Sequence, residues 1–170
     1  MSFPYVVELL DSYGVLQISS STFYFDLEDL PVFQSRRWYV DKSGYLTSSY
    51  YYMGKQRIVR FHRIVAHAQP GQRVDHRNRN RADNRKQNLR CCSLAENNRN
   101  RGLYSTNTSG VAGVSFDKQR ERWVASITYN GKRLFIGRFH NKEDAVAARI
   151  SAETCLFGEF SPQWDKAIAS

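Results

Sequence analysis

The stretch VDHRNRNRADNRKQNLR, from Val74 to Arg90, decides how the chain is interpreted. Its seventeen positions hold four asparagines, six basic residues and an Asp-His pair, Asp75-His76. The segment RVDH favours an extended strand, the polar run after it favours a loop, and NLRCC is apolar enough for a second strand. This stretch therefore predicts two strands joined by a long polar loop.

A helix is predicted directly after the second strand, over SLAENNRNR. Ser93 and Glu96 have the spacing of a capping box, in which each side chain bonds to the backbone N–H of the other residue. Upstream, HRIVAHAQ from His62 to Gln69 favours a short helix that Pro70-Gly71 would stop.

Positive charge is concentrated around the same stretch. Residues 58–102 hold eleven Lys or Arg against three Asp or Glu, a net of +8, whereas residues 1–57 net −1 and residues 103–170 net +2. A concentrated basic block is typical of proteins that bind a polyanion, although a solvated charged face is the alternative.

Composition excludes several classes of protein. The start of the chain does not resemble a secretory leader and no apolar run approaches membrane-spanning length, so we expect an intracellular protein with no membrane partner. The cysteines are Cys91, Cys92 and Cys155, an odd number without a C-x-x-C pair. We therefore expect small buried thiols, no disulfide framework and no structural zinc.

The two ends of the chain differ in pattern. Before residue 58, YVVELL, GVLQISS and the region from Arg36 to His62 favour strands, with a helical turn near Pro31. After a small polar linker, GVSFD, RWVASITYNG and KRLFIGRF favour three strands, with a hairpin turn at Asn130-Gly131. A helix should follow from a cap at Asn141 to Gly158, packing through Ala145, Ala148, Ile150 and Ala152.

The Asp-His pair suits phosphodiester hydrolysis, which needs an activated water and a cation near the developing negative charge. Histidine can be the base, because its unperturbed pKa is about 6.5. Asp75 can hold a hard divalent metal, and the amide oxygen of Asn97 on the predicted helix can be a second ligand. Asn88 could brace the loop by hydrogen bonds to its backbone groups. In a strand Asp75 and His76 point to opposite faces, so a twist or bulge is needed.

VDH, DNR, NLR and AENNRN, with the upstream FHRIVAHA, resemble the HNH endonucleases of phages and mobile introns over about residues 36 to 101. The resemblance implies a ββα-metal fold around one divalent ion, with Mg²⁺ expected and Mn²⁺ as the alternative. It implies that His76 is the general base, Asp75 and Asn97 the metal ligands and Asn88 the structural asparagine. His62 would pack or contact a phosphate.

Residues 109–158 resemble the APETALA2-type DNA-binding domain, through Trp123-Val124-Ala125, Gly131-Lys132-Arg133, Ile136-Gly137 and the alanine-rich helix. The resemblance implies a sheet lying in the major groove, with Arg133 and Phe135 facing the groove and Trp123 in the core. Ser115, Asp117 and Thr128 depart from the arginines that plant members often have, so their base preferences do not carry over.

The sequence thus predicts an α+β protein with two modules. Residues 1–102 would form the HNH nuclease domain, with a β-rich part at 1–57 and the ββα-metal core at 58–102. Residues 103–109 would be a linker, and residues 110–162 would form a three-stranded antiparallel sheet packed on one helix. The predicted DNA-binding residues are Arg77, Arg79, Arg81, Arg85, Arg99, Arg101, Arg133 and Phe135.

Three functions compete. The first is a homing-type DNA endonuclease of a phage or mobile element, acting on double-stranded DNA in the host cytoplasm as a monomer or weak dimer, without a small-molecule cofactor. The second is a catalytically inactive DNA-binding transcription regulator. The third, a structural or RNA-binding basic protein, would have no need of Asp75.

Overall fold

A computed structural model describes residues 6–100, 103, 105 and 107–161. The chain divides into two compact units, Met1–Asn97 and Asn98–Ser170. Within the described residues, no helix is both long and apolar enough to cross a membrane.

The first unit opens with an antiparallel sheet in the order β1-β2-β3. Its strands are β1 (Val6–Leu9), β2 (Tyr13–Ile18) and β3 (Ser21–Asp26). The sequence predicted the first two strands but not β3, which buries Phe23 and Phe25 on one face. Gly14 allows this packing, because a Cβ there would lie 2.3 Å from the Phe25 ring.

A second antiparallel sheet in the order β4-β5-β6 follows a helical turn. The elements are a 3₁₀ turn (Leu27–Asp29), α1 (Leu30–Gln34), β4 (Tyr39–Val40), β5 (Leu46–Tyr52), β6 (Lys55–Arg60) and α2 (Phe61–Val65). The helix predicted to reach Gln69 is thus shorter, because the backbone of His67 turns to a φ of 49°.

The core of the first unit is aromatic. The Trp38 ring stacks on Phe33 and meets Phe61 edge-on at 5.1 Å between centroids, and its indole N–H donates to the Phe33 carbonyl at 2.8 Å. Phe61 of α2 and Leu89 of the next hairpin belong to the same buried cluster. The predicted catalytic hairpin is therefore anchored on a packed core.

That hairpin follows the predicted order of strand, loop, strand and helix. The strands β7 (Arg73–His76) and β8 (Leu89–Cys92) pair antiparallel, a 3₁₀ turn (Lys86–Asn88) precedes β8, and α3 (Leu94–Arg99) follows it. The capping box is confirmed, because the Ser93 N–H donates to Glu96 at 2.7 Å and the Glu96 N–H donates to Ser93 Oγ at 3.2 Å.

The second unit is an antiparallel sheet in the order β11-β10-β9, packed against one long helix. Its elements are β9 (Val114–Asp117), β10 (Arg122–Tyr129), β11 (Lys132–Phe139), α4 (Lys142–Phe157) and a 3₁₀ turn (Gly158–Phe160). The predicted hairpin turn is present, with positive φ at both Asn130 and Gly131. Trp123 packs against the core around Ala125, as expected.

The packing face of α4 matches the predicted alanine face only in part, since Ala145 is buried as predicted but Ala148, Ile150 and Ala152 are half-buried. The helix buries Ala145, Arg149, Glu153 and Phe157, which recur every four residues. Arg149 and Glu153 form an ion pair at 3.3 Å inside this stripe, and burial lowers the pKa of Arg149. Asn141 precedes the helix as predicted, but its side-chain amide donates to Asp144 at 3.4 Å instead of capping the backbone.

The three cysteines are free thiols in different environments. Cys92 is buried, and desolvation raises the pKa of its thiol to about 11, so the thiol is protonated at neutral pH. Cys91 is half-buried. Cys155 is exposed, so the expectation of three buried thiols is wrong for this residue, which lies on the open side of α4.

Candidate active site

The end of β7 carries the two residues on which the predicted chemistry depends. Asp75 and His76 are 6% and 5% exposed. Across the ladder Asp75 lies opposite Arg90 and His76 lies opposite Leu89. Both side chains are therefore held inside the first unit by the pairing of β7 with β8.

Asp75 forms a buried ion pair with Arg90. The guanidinium donates from Nε at 2.9 Å and from Nη2 at 2.7 Å, both to the Oδ2 oxygen of the carboxylate. Each side chain is 8% exposed. Sequence reasoning missed Arg90, since its place opposite Asp75 depends on the strand register. The pair stabilises a carboxylate that would be costly to bury alone.

His76 is oriented by a second asparagine in the loop. Its Nε2 lies 3.4 Å from Oδ1 of Asn84, whose own amide N–H donates to the Ala82 carbonyl at 3.2 Å. With Oδ1 turned toward the ring, the favoured tautomer has the proton on Nε2 and the lone pair on Nδ1. Burial lowers the pKa of His76, so the ring is neutral at pH 7, as a general base requires.

A second histidine packs against the first. The rings of His62 and His76 meet edge-on at 5.1 Å, and Tyr45 lies 4.9 Å from His62. Burial, followed by the influence of His76 and Arg60, lowers the pKa of His62 to about 3. Of the two predicted roles for His62, packing is the one that these contacts support.

The Asn88 side chain links two other residues of the loop between β7 and β8. Its amide Nδ2 donates to the Asp83 carbonyl at 2.8 Å, and its Oδ1 accepts from the Asn78 N–H at 2.9 Å. The loop is also joined to β3, since Tyr24 and Asn84 bond through the backbone at 2.8 Å. These bonds give a long polar segment a defined backbone.

Asn97 is the fourth residue of α3 and is half-buried. Its backbone N–H donates to the Ser93 carbonyl at 3.0 Å, as expected in a capped first turn. The carboxylate of Asp75 and the amide oxygen of Asn97 are hard oxygen donors that suit Mg²⁺ or Mn²⁺. Within the described ranges, no three His, Cys, Asp or Glu side chains group to hold a metal, so these two residues would rely on further oxygen ligands.

The predicted phosphate-binding arginines lie in several environments. Arg79 and Arg81 are exposed, and Arg81 also lies 4.9 Å above the Tyr45 ring. Arg77 is half-buried, and Arg85 is held by both oxygens of Asp83 at 2.8 Å. In the second unit, Arg99 lies 4.4 Å above the Phe157 ring. Arg101 lies outside the described residues.

The second unit presents an exposed basic-aromatic face on β11. Arg133, Phe135 and Arg138 pair with Thr128, Ser126 and Val124, which are alternate residues of β10 and therefore share one face of the sheet. Phe135 is 58% exposed, and Arg138 lies 5.0 Å above its ring. Sequence reasoning missed Arg138, because a bulge at Ile136 moves it onto this face.

One curated relative aligns with nearly the whole chain. An uncharacterized HNH endonuclease of Acanthamoeba polyphaga mimivirus is 29% identical over 161 residues, which cover 92% of this chain and 82% of the relative. The chain is therefore homologous to an HNH endonuclease. No protein-family model matches it.

Two other similarities are narrower. Protein 3.8 of Escherichia phage T7 is 36% identical over 63 residues, which are 37% of this chain and 52% of the phage protein. The HNH homing endonuclease I-HmuI, solved in a study of its DNA binding and cleavage, covers 86% of each chain at 17% identity and a TM-score of 0.37. That score is too low to establish a shared fold, so the homology rests on the mimivirus protein.

Proposed function

We propose that the chain is a metal-dependent DNA endonuclease of the homing type, encoded by a phage or mobile element. The observation that carries this proposal is the neutral, oriented His76 beside Asp75 on a hairpin whose loop is braced by Asn88. Homology to an HNH endonuclease supports the same activity. In this proposal residues 1–102 form the nuclease, residues 103–109 the linker and residues 110–162 the DNA-binding domain.

The proposed role of His76 is to remove a proton from the attacking water. Asn84 holds Nε2, so the lone pair that takes the proton is on Nδ1. Because burial lowers the pKa of His76, the base is unprotonated at neutral pH and needs no prior activation. The His62 and Tyr45 rings limit rotation of the imidazole about its side-chain torsions.

Asp75 and Asn97 would hold one divalent cation, Mg²⁺ or Mn²⁺, which when bound would supply positive charge to the phosphate oxygens and the leaving 3′ oxygen. The exposed Arg79 and Arg81 would contact neighbouring DNA phosphates. Arg133 and Phe135, joined by Arg138, would contact the major groove through the sheet of the second unit.

A plasmid cleavage assay tests this proposal. We expect the wild-type protein to cut DNA with Mg²⁺ and not with EDTA, and His76→Ala to lose at least about 100-fold in rate, because general-base catalysis contributes about 10²–10⁴-fold. Both proteins should bind DNA equally in EDTA. Equal cutting by the two proteins would reject His76 as the base.

One observation favours the alternative, a DNA-binding regulator without nuclease activity. The Arg90 ion pair satisfies the buried Asp75 carboxylate without a metal. Under this alternative, the wild-type protein binds DNA but cuts neither plasmid nor host DNA with Mg²⁺ or Mn²⁺.

A further inference from the structure

The Arg90–Asp75 pair lies at the position where the proposed function needs a cation. We propose that Arg90 is the resting counter-ion of Asp75, and that a divalent cation binds Asp75 in competition with the guanidinium charge. This inference rests on the proposed function, because it takes Asp75 to be a metal ligand. It adds a residue that limits how tightly the cation is held.

The geometry places a full positive charge directly on the carboxylate. Nε and Nη2 of Arg90 both donate to Oδ2 of Asp75, at 2.9 Å and 2.7 Å, and neither side chain is more than 8% exposed. The β7–β8 ladder sets the two residues opposite each other, so the contact is built into the backbone register. Water and salt screen such a buried pair much less than a surface pair.

A guanidinium stays charged at all accessible pH values. A divalent cation on the Asp75 carboxylate would therefore lie close to a fixed like charge in a poorly screened environment, which opposes its binding. Arg90 has to move or its charge has to be offset before the cation binds tightly. Without metal, the same charge keeps Asp75 from being a buried, unpaired anion.

The first unit contains a matched ion pair of the same form. Arg60 donates from Nε at 3.1 Å and approaches with Nη2 at 3.0 Å, both to Oδ2 of Asp41. This pair is more exposed, at 39% and 19% for the two side chains, and neither residue has a proposed role in catalysis or metal binding. Arg60→Gln therefore removes the same charge and the same kind of ion pair from an aspartate that has no proposed metal role.

The test is a Mn²⁺ titration followed by electron paramagnetic resonance, on the full chain without DNA. We expect Arg90→Gln to bind one Mn²⁺ about tenfold or more tightly than wild type, because the variant removes a like charge close to the cation. Arg60→Gln should bind like wild type. Mn²⁺ should also raise the melting temperature of Arg90→Gln more than that of wild type, since the cation replaces the missing guanidinium.

Two further variants keep the result interpretable. Adding Asp75→Asn to Arg90→Gln should abolish the gain in Mn²⁺ affinity, which would assign the gain to this carboxylate. If Arg90→Gln folds only with Mn²⁺ present, that dependence itself supports the proposal. Arg90→Lys keeps the positive charge but lacks the paired N–H donors of the guanidinium. In that case it should fold without Mn²⁺ and bind Mn²⁺ much as wild type does.

The contrary outcomes separate this inference from the proposed function. A folded Arg90→Gln with unchanged or weaker Mn²⁺ affinity, in a protein whose wild type cuts DNA, overturns the counter-ion role and leaves the nuclease standing. If neither wild type nor Arg90→Gln binds Mn²⁺ and neither cuts DNA, both proposals are wrong.

Discussion

The hairpin of the first unit and the sheet face of the second unit present polar side chains in opposite ways. Asp75, His76, Asn84, Asn88 and Arg90 are all buried, and each has a specific hydrogen-bond or ion-pair partner. By contrast, the β11 side chains that face the predicted DNA are exposed. A buried polar side chain is held in one geometry, and the loss of its partner costs much free energy of folding. An exposed side chain can be substituted with little effect on stability. The first arrangement suits chemistry, and the second suits contact with a partner.

Among the changes considered for the buried hairpin and the exposed sheet face, we expect the largest loss of stability from a substitution of Asn88. Asn88→Ala removes the donor to Asp83 and the acceptor for the Asn78 N–H. We expect the free energy of unfolding, measured by urea denaturation, to fall by about 2–4 kcal/mol, because the unsatisfied buried Asp83 carbonyl costs about 1–3 kcal/mol and the lost, partly buried bond to the Asn78 N–H costs about 1 kcal/mol. The cleavage rate should fall with it, since the loop carries Asn84.

The control for that change is Asn98→Ala, which truncates an exposed asparagine. Its unfolding free energy should stay within about 0.5 kcal/mol of the wild-type value. If the two variants were equally stable, the hydrogen bonds of Asn88 would not be organising the loop.

A smaller effect is expected from His62 as the pH falls. The folded protein holds the pKa of His62 at about 3, below its ordinary value of 6.5, so the unfolded state binds more protons between these values. The contribution of the neutral His62 to the free energy of unfolding is therefore fully present above pH 6.5, and it is lost progressively as the pH falls toward 3. Between pH 6.5 and pH 5 the loss from His62 should be about 2 kcal/mol.

The measurement is urea denaturation at pH 7 and pH 5 for wild type and His62→Gln. The variant cannot bind the extra proton, so its stability should change less between the two pH values. An equal loss in both proteins would mean that His62 is not held neutral by burial.

The smallest effects are expected on the exposed face of β11. Arg133→Ala and Arg138→Ala should each weaken DNA binding and reduce the slope of log affinity against log salt, by about 0.9 for each DNA phosphate that the arginine neutralises. Arg133→Ala should also blur site choice while sparing cleavage of non-specific DNA at high enzyme concentration. Fluorescence anisotropy at several salt concentrations measures the first effect.

Lys118→Ala is the control, because it removes one charge from the exposed turn between β9 and β10. A salt slope that falls equally in all three variants would show that net charge, and not this face, determines binding.

Local patterns predicted the elements that depend on nearby residues. The capping box of α3 needs only Ser93 and Glu96, and the β10–β11 turn needs only Asn130-Gly131. The end of α4 at Gly158 is of the same kind. β3 was missed because SSTFYFD has no strong turn signal of its own and its alternation shows only once the core is known.

Contacts between residues far apart in the chain could not be predicted from the sequence. Arg90 lies against Asp75 because of the β7–β8 register, and Asn84 reaches His76 because of the path of a long loop. The bulge at Ile136 reverses the face of Arg138, which simple alternation places on the opposite side. The buried Arg149–Glu153 pair was missed because charged residues are rarely fully buried.

In the proposed function, Asp75 and Asn97 share one divalent cation beside His76. A crystal structure of the protein with a DNA duplex and Mn²⁺, with anomalous data collected, tests it directly. We predict one anomalous peak bound by the carboxylate of Asp75 and the amide oxygen of Asn97, with a DNA phosphate as a further ligand. A Mn²⁺ peak away from these residues, or DNA bound with Asp75 still paired to Arg90 and no cation beside it, would contradict the claim.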